Sequence, residues 1–413
     1  MFVCFLENKW YSIVILCAEG IYSFVDSGCC MDDSPKKIKR GKRKLVRMAF
    51  SLITLAAFAY IVVTLISGQQ IQLPRLSRLF SAGVPEVTAN EYHFDVGRGR
   101  VFANLGSAVA AVGSLGIQVL DYGGAETLRE PFRMSFPAIA ANSGRAIAFD
   151  VDGTTVRVFD ENRVITALET SNAIISASIN RNGWFVVCSQ DSGGFKGSAA
   201  VYNNNGNNVY RVDLASGYIL SAALSPDNRS LAILSLTDRG SRIVFYSLDS
   251  EAAGNSFSLP GGLIIDMRYM SGGNVLAVTT DSLIVVNNSG EGRNLYEFSG
   301  RGLGGYSIDG GTYVLHLLDY GVGHSGQIVA ISENGNLLGE LSTNDEIVSI
   351  SYSGGMLAIL RSDGPEFFDA GFESIPHSAQ PISASGAGRI LALDSGAAIA
   401  YGDHSAVVFR VER

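Results

Sequence analysis

Hydrophobic residues follow two different patterns along the chain. From Met48 to Ser67 they form one run that contains no charged residue, and an apolar run of about 18 or more residues is long enough to cross a bilayer as a helix. From Glu91 onward they form short alternating runs separated by Gly, Asn, Asp and Ser, which is the pattern of β-strands joined by turns. The sequence therefore predicts one transmembrane helix followed by an all-β domain.

The alternating runs recur at a spacing of roughly 40 residues, the range in which the blades of a β-propeller repeat. Eight copies can be aligned. The last copy, Gly388–Phe409, aligns without a gap on the first, Gly99–Leu120, and the two are identical at Gly388/Gly99, Arg389/Arg100, Ala392/Ala103, Ala397/Ala108, Ala400/Ala111 and Gly402/Gly113. We therefore predict an eight-bladed β-propeller, with seven blades as the alternative if two of the copies merge.

The two ends of the predicted propeller complement each other. The last copy ends after its third strand, and the run Glu91–Val96 stands before the first copy with no strand to pair with. Closing the ring removes the open sheet edges that invite aggregation, so we expect Glu91–Val96 to supply the outer strand of the last blade. Small residues recur in the first strands, which we place nearest the axis: Ala140, Ser176, Ala177, Ser178, Ala222, Ala223, Ser349 and Ser351.

Charge orients the membrane segment. Residues 36–47 are dense in Lys and Arg, whereas the first basic residue after the apolar run is Arg75, and this asymmetry puts the N-terminus in the cytoplasm. We expect a single-pass protein of the cell membrane, made of a cytoplasmic basic tail, a transmembrane helix, a stalk and an extracellular propeller over residues 1–47, 48–67, 68–90 and 91–413. Met31 opens a segment typical of a protein start, so residues 1–30 are interpreted as an over-extended start.

The charge balance argues against nucleic acid as a partner. The chain has a formal net charge of −8, and residues 48–413 carry 22 basic against 34 acidic residues. Phosphate binding needs clustered Lys and Arg, so no nucleic acid is expected outside the membrane. The basic run beside the span is instead typical of a topology signal that touches acidic lipid headgroups.

The residue types that catalysis needs form no recognisable motif. The five histidines show no metal-ligand spacing, and the sequence contains neither a nucleophile elbow nor a phosphate-binding loop. Cys188, the only cysteine after the apolar run, lies in a strand-like segment and is expected to be buried and inert. A quinone-dependent dehydrogenase would carry a tryptophan in each blade motif, but Trp184 is the only one in the predicted propeller. No metal or cofactor is expected.

Several motifs resemble those of a known family. The run Ser225-Pro226-Asp227-Asn228 resembles the SPDG-type turn between the inner strands of many propeller blades, and it lies within SGYILSAALSPDNRSLAIL. With ISASINRNGWFVV, AAVYNNNGNNVYRV, the basic stub and the single span, the chain resembles single-span WD40- or quinoprotein-like propeller proteins of Gram-positive bacteria, grouped by a domain of unknown function. The resemblance implies the architecture of nearly everything after Met31 and carries over no catalytic residues.

Candidate binding residues lie in loops that join the second and third strands of a blade. Three such loops, residues 190–196, 237–242 and 318–325, are longer or richer than the others, and aromatic and Arg residues are favoured at interface centres. Loops also vary without functional reason, so plain solvated turns are the alternative. The candidates are Asp191, Phe195, Lys196, Asp238, Arg239, Asp319, Tyr320 and His324, with the two aromatic residues as apolar anchors.

These observations favour a binding module over an enzyme. We expect a membrane-anchored extracytoplasmic scaffold that presents a ring-shaped face to a protein, a peptide or a cell-wall glycan. The alternative is an extracytoplasmic enzyme of hydrolase or quinoprotein type, which clustered acids around a polar central pocket would favour. A third hypothesis is a sensor that passes an external signal through the membrane span.

Overall fold

The fold was analysed in a computed structural model that describes residues 87–190, 193–250, 252–320, 323–375, 386–393, 396–403 and 406–411. These residues form 31 β-strands. The part of the chain that the structure describes contains no helix long and apolar enough to cross a membrane. The predicted tail, transmembrane helix 48–67 and the stalk up to residue 86 lie outside the described residues.

The strands form eight antiparallel sheets, one for each predicted blade. Blade 1 contains β2 (Val101–Asn104), β3 (Ala108–Gly113), β4 (Gly116–Asp121) and β5 (Glu126–Pro131). Blade 2 contains β6 (Pro137–Asn142), β7 (Arg145–Asp150), β8 (Thr155–Asp160) and β9 (Val164–Glu169). Blade 3 contains β10 (Ile174–Ile179), β11 (Phe185–Ser189), β12 (Gly197–Tyr202) and β13 (Asn208–Leu214). Blade 4 contains β14 (Tyr218–Leu224), β15 (Ser230–Thr237), β16 (Gly240–Ser247) and β17 (Ala253–Pro260).

The second half of the ring follows the same order. Blade 5 contains β18 (Ile264–Tyr269), β19 (Val275–Thr279), β20 (Ser282–Val286) and β21 (Gly292–Glu297). Blade 6 contains β22 (Gly302–Asp309), β23 (Thr312–Leu318), β24 (Gly326–Ser332) and β25 (Leu337–Thr343). Blade 7 has three strands among the described residues, β26 (Ile347–Ser353), β27 (Met356–Arg361) and β28 (Gly364–Asp369). Blade 8 contains β29 (Arg389–Leu393), β30 (Ala397–Tyr401), β31 (Ala406–Val411) and β1 (Val87–Glu91).

This arrangement is an eight-bladed β-propeller, so the prediction of eight blades is confirmed. Within blades 1 to 7 the strands pair in chain order, and blade 8 adds the N-terminal strand β1 beside β31. First strands of neighbouring blades contact one another, as β10 does with β14 and β26 does with β29. The first strands are therefore the innermost ones, and the two ends of the ring meet where β2 contacts β29.

The last blade is closed by an N-terminal strand, as predicted, but by a different segment. The closing strand is Val87–Glu91, which pairs antiparallel with Ala406–Val411, so the proposed strand Glu91–Val96 was wrong except at its first residue. Phe94 and Val96 are instead buried between blades 8 and 1. The alternation that suggested a strand in Glu91–Val96 thus comes from side chains that fill this space.

The hydrophobic core lies between blades rather than within one central cluster. Each of eight clusters of buried apolar residues joins two consecutive blades, and together they follow the whole ring. Phe159 between blades 1 and 2 and Phe409 between blades 7 and 8 are fully buried. Strand residues of one face therefore pack against the preceding blade and those of the other face against the following blade, which explains the nearly continuous hydrophobic character of the second strands.

Serines in the first strands link the inner strands of adjacent blades. Ser178 Oγ donates to the carbonyl of Ala222 at 2.7 Å, and Ser351 Oγ accepts the amide N–H of Ala392 at 2.9 Å. Both serines belong to the small residues that were expected near the axis. Their role goes beyond fitting a crowded space, because they satisfy backbone groups that would otherwise lack a partner in the ring.

Candidate interaction face

The two ends of the strands give the propeller two faces with different connections. We call the loop face the one with the connections between second and third strands, at residues 114–115, 151–154, 190–196, 238–239, 280–281, 319–325, 362–363 and 402–405. The loop face also carries linkers between blades, at residues 92–100, 132–136, 170–173, 215–217, 261–263, 298–301 and 344–346. The turn face carries the connections between first and second strands and between third and fourth strands.

The turn face is built from short polar turns. Asn180 Oδ1 accepts the backbone N–H groups of residues 182 and 184, and Asn203 Oδ1 does the same for residues 205 and 207. Gly183 and Gly206 both have φ of 79°, a left-handed conformation that favours glycine. Ser225-Pro226-Asp227-Asn228 joins the first and second strands of blade 4, as expected. Side chains on this face therefore mainly serve to reverse the chain.

Exposed hydrophobic residues concentrate on the loop face. The described residues include twelve large hydrophobic side chains that are exposed. Three of them, Val209, Leu337 and Leu338, lie near the start of fourth strands, away from the loop face. The other nine lie in the loops, in the linkers or at the strand ends beside them: Leu115, Phe136, Phe195, Tyr218, Leu236, Leu263, Ile265, Tyr320 and Val348.

Five of these nine residues form what we call the apolar sector, over consecutive blades 3 to 5. They are Phe195, Tyr218, Leu236, Leu263 and Ile265. Tyr218, 63% exposed, lies directly across from Leu236 in the pairing of β14 with β15. The sector is therefore a surface on neighbouring strands and linkers, and is not confined to the tip of one loop.

Polar contacts hold the edges of the apolar sector in place. Lys196 Nζ lies 5.5 Å from the centre of the Tyr218 ring, a cation–π contact across the boundary between blades 3 and 4. Ser241 of blade 4 donates its N–H to the carbonyl of Gly262 at 3.0 Å and accepts the N–H of Ile264 with its hydroxyl at 2.9 Å. These bonds fix Leu263, which lies between the two bonded residues, beside blade 4.

The structure separates the predicted binding residues into two groups on the loop face. Phe195 and Lys196 lie in or beside the apolar sector, and Asp238 and Arg239 form the two-residue turn that follows Leu236. The second group lies in the loop of blade 6 and consists of Asp319, Tyr320 and His324. Asp191 lies outside the described residues. The loops predicted from the sequence lie on the loop face, and the sequence did not single out Tyr218, Leu236, Leu263 and Ile265.

A shared irregularity marks the inner edge of the loop face. The first strands of blades 3 to 7 each contain a bulge at the same position, where a bulge re-aims a side chain. The extra residue is aliphatic in four blades and glycine in blade 6: Ile175, Leu220, Ile265, Gly304 and Val348. In the four blades with an aliphatic extra residue, this residue and the one before it form an aliphatic pair, and Ser or Asp follows the pair. This recurring pattern is the sequence signal for the bulge.

In blade 6 the glycine accommodates a buried histidine. A Cβ on Gly304 would lie 2.7 Å from Nδ1 of His316, which is 4% exposed. Leu234 and Leu360 occupy the position of His316 in blades 4 and 7. At these two positions blade 6 therefore has a glycine and an imidazole, where blades 4 and 7 have two aliphatic residues. The Nε2 atom of the imidazole is buried without a hydrogen-bond partner.

Burial lowers the pKa of His316, and the nearby Arg361 guanidinium lowers it further. The face of β23 that carries His316 packs on β27. Arg361 lies at the end of β27, and its guanidinium contacts Glu366 Oε2 at 2.9 Å and Asp345 Oδ2 at 3.6 Å. The imidazole is thus kept neutral between apolar neighbours and a cation.

Acid is expected to weaken the fold through His316. Its pKa is lower in the folded than in the unfolded chain, so the unfolded state binds the proton first and stability falls as the pH drops below about 6.5. In urea unfolding, the decrease in the free energy of unfolding from pH 7.5 to pH 5.5 should be smaller for His316→Leu than for the unaltered protein. Equal losses in both proteins would contradict this assignment.

A cleft on the loop face of blade 1 contains an ion-pair network. It has a volume of about 440 Å³ and is lined by Leu115, Phe132 and Arg129, among others. The Arg129 guanidinium lies 2.7 Å from Glu126 and 3.4 Å from Asp95, and its hydrogen bonds are the main cause of the lowered pKa of Glu126. Arg129 and Asp95 of this ion-pair network line the cleft together with two further charged residues, Glu130 and Arg133.

A family model matches residues 87–363, which include the closing strand, the first six blades and the first two strands of blade 7. Its description is "Family of unknown function (DUF5711)". The chain belongs to this family. No curated protein matches the DUF5711 chain, and the description of the family names no activity.

Solved structures similar to the DUF5711 chain are β-propellers. The C-terminal WD40 domain of Sif2 is 12% identical, with a TM-score of 0.52 over 79% of this chain and 96% of that one. BamB from Moraxella catarrhalis is 15% identical, with a TM-score of 0.50 over 79% of this chain and 99% of that one. At these identities the likeness concerns the fold alone, which is of the WD40 and BamB type.

The DUF5711 propeller shows no site for metal chemistry where its residues are described: no group of three or more His, Cys, Asp or Glu side chains is arranged to hold an ion. Cys188 is fully buried, as expected, and burial raises the pKa of its thiol to about 12. A thiol that stays protonated at neutral pH is a poor nucleophile.

Proposed function

We propose that this protein is a binding scaffold that holds a protein partner on the loop face of its propeller. The observation that carries the proposal is the uneven distribution of exposed hydrophobic residues, nine of the twelve lying on that face. Soluble proteins rarely expose contiguous apolar patches without using them for interaction. Because the apolar sector covers three consecutive blades, the partner contacts a broad surface and not one pocket.

We further propose that the scaffold works outside the cytoplasmic membrane, anchored by residues 48–67. Support for this part comes from the sequence: the uncharged apolar run, the basic residues before it and the acidic balance after it. The propeller fold itself is of the WD40 and BamB type, and propellers of this type commonly serve as protein-interaction scaffolds. A membrane anchor would keep such a scaffold next to partners at the cell surface.

Two matched double variants test the role of the loop face. Tyr218→Ser with Leu263→Ser removes two exposed hydrophobic side chains from the apolar sector, whereas Leu337→Ser with Leu338→Ser removes two others away from the loop face. Tagged full-length proteins are recovered from the source cells, and the captured proteins are quantified by mass spectrometry. The loop-face variant is expected to lower capture of the main partner about tenfold.

The control variant should capture the partner as the unaltered protein does. Both variants should keep the free energy of unfolding within about 0.5 kcal/mol, because the substituted side chains are exposed. Undiminished capture by the loop-face variant, or an equal loss with the control variant, would overturn the proposal.

A further inference from the structure

Acidic residues dominate the loop face next to the apolar sector. In blades 5 to 7, the second-to-third-strand connections and the linkers and strand ends beside them expose six acids, which we call the acidic arc: Asp281, Glu297, Asp319, Asp345, Glu346 and Asp363. Among the described residues of these segments, no Lys or Arg is exposed. The acidic arc is therefore a one-sign region that spans three consecutive blades.

Among the described residues, one cation forms an ion pair with the acidic arc, Arg361 with Asp345. Arg361, with a side chain only 11% exposed, donates to Glu366 at 2.9 Å and to Thr343 at 3.1 Å, and contacts Asp345 at 3.6 Å. Arg301 donates to Gln327 at 2.6 Å. Among the described residues, the other five carboxylates of the arc are exposed and have no cation within ion-pair distance.

The acidic arc and the apolar sector meet in blade 5. Leu263 and Ile265 lie at the start of the first strand of that blade, and Asp281 lies in its second-to-third-strand turn. Farther along the arc, the exposed side chains of Tyr320 and Val348 lie in blades 6 and 7 among the acids. A partner that crosses from blade 3 to blade 7 therefore meets an apolar surface first and a negatively charged one next.

We propose, resting on the proposed function, that the docking segment of the partner is a cationic amphipathic one. Its aliphatic or aromatic side chains cover the apolar sector, and its Lys or Arg side chains lie over the acidic arc. Charge complementarity of this kind steers the approach of a partner and selects against wrong ones. A segment rich in Asp and Glu would instead meet like charge across three blades.

Two labelled peptides probe this inference with the full-length protein. One contains Leu and Lys, and the other has Glu in place of every Lys; binding is measured by fluorescence anisotropy. At about 50 mM salt the Lys peptide is expected to bind about tenfold more tightly than the Glu peptide, and the difference should shrink at about 500 mM salt, where charges are screened.

Charge-neutralising variants localise the effect. Glu346→Gln with Asp363→Asn should weaken binding of the Lys peptide about threefold, in keeping with the modest strength of exposed ion pairs. The matched control, Asp249→Asn with Glu291→Gln, removes the same charge from the turn face and should leave the affinity unchanged. Equal weakening by the control would show a general effect of net charge and would overturn the inference.

The remaining outcomes separate this inference from the proposed function. Binding of the Glu peptide as tight as that of the Lys peptide, or no binding of the Lys peptide, would overturn the cationic segment. If both peptides bind equally and Tyr218→Ser with Leu263→Ser weakens both, the loop face stands as a docking surface and only its charge preference falls. If that variant weakens neither peptide, the proposed function fails as well.

Discussion

Replacing Asn90 by proline is expected to lower the free energy of unfolding by about 1–3 kcal/mol, because proline removes a strand hydrogen bond and leaves its acceptor unpaired. Asn90 lies in the closing strand and pairs with Val408. Two residues farther along, Tyr92 donates its N–H to the carbonyl of Ala406 at 2.9 Å. N–H groups of an antiparallel strand point alternately toward and away from the partner strand, so residues two apart point the same way. The N–H of Asn90 therefore points to β31, and proline removes one hydrogen bond from the β1–β31 pairing that completes blade 8.

Ala89→Pro provides the matched control in the same strand. By the same alternation the N–H of Ala89 points away from β31, and edge strands tolerate proline at such positions. In chemical denaturation, the free energy of unfolding should decrease much more for Asn90→Pro than for Ala89→Pro. Similar losses, or no loss at either position, would mean that the segment does not hold the ring closed.

Replacing Gly304 by valine is expected to lower the free energy of unfolding by about 1–3 kcal/mol, the usual cost of overpacking a core. The added Cβ would lie 2.7 Å from His316 Nδ1 and 3.0 Å from its Cε1. Because this imidazole is buried between blades 6 and 7, it has little room to move. We therefore expect destabilisation even though blade 7 has a valine, Val348, at the equivalent bulge position.

The double variant Gly304→Val with His316→Leu should recover most of that loss. It recreates the aliphatic pairing of blades 4 and 7, where Leu220 lies near Leu234 and Val348 near Leu360. A double-mutant cycle measured by chemical denaturation is expected to give a coupling of about 1–3 kcal/mol. Additive effects of the two substitutions would show that glycine and histidine do not compensate each other.

Much of the fold could be predicted because a propeller repeats itself in sequence. The gap-free alignment of Gly388–Phe409 on Gly99–Leu120 reports the shared geometry of blades 8 and 1, and strand alternation follows from burial in the spaces between blades. The closing strand was misplaced by a few residues because Phe94 and Val96 alternate in the same way while packing between two blades. Hydrophobic period alone does not distinguish a paired strand from a segment that fills such a space.

The candidate site was only partly predictable. Phe195 and Tyr320 were recognisable because they stand in long loops, and both are exposed on the loop face. Tyr218 and Ile265 were not, because each lies in a strand that reads as an ordinary hydrophobic run. Their exposure depends on where the strand ends and, for Ile265, on a bulge, and these features arise only once the strands are paired.

The central claim is that the loop face of the closed ring is the surface that binds a partner. A photo-cross-linking amino acid placed in the full-length protein, in its source cells, tests this claim most directly. Three positions probe the loop face, at Tyr218, Ile265 and Tyr320, and three probe the turn face, at Asn204, Asp249 and Asn334. We expect one partner to be cross-linked from the loop-face positions and none from the turn face. Cross-linking of the partner from the turn face alone, or equally from both faces, would contradict the account.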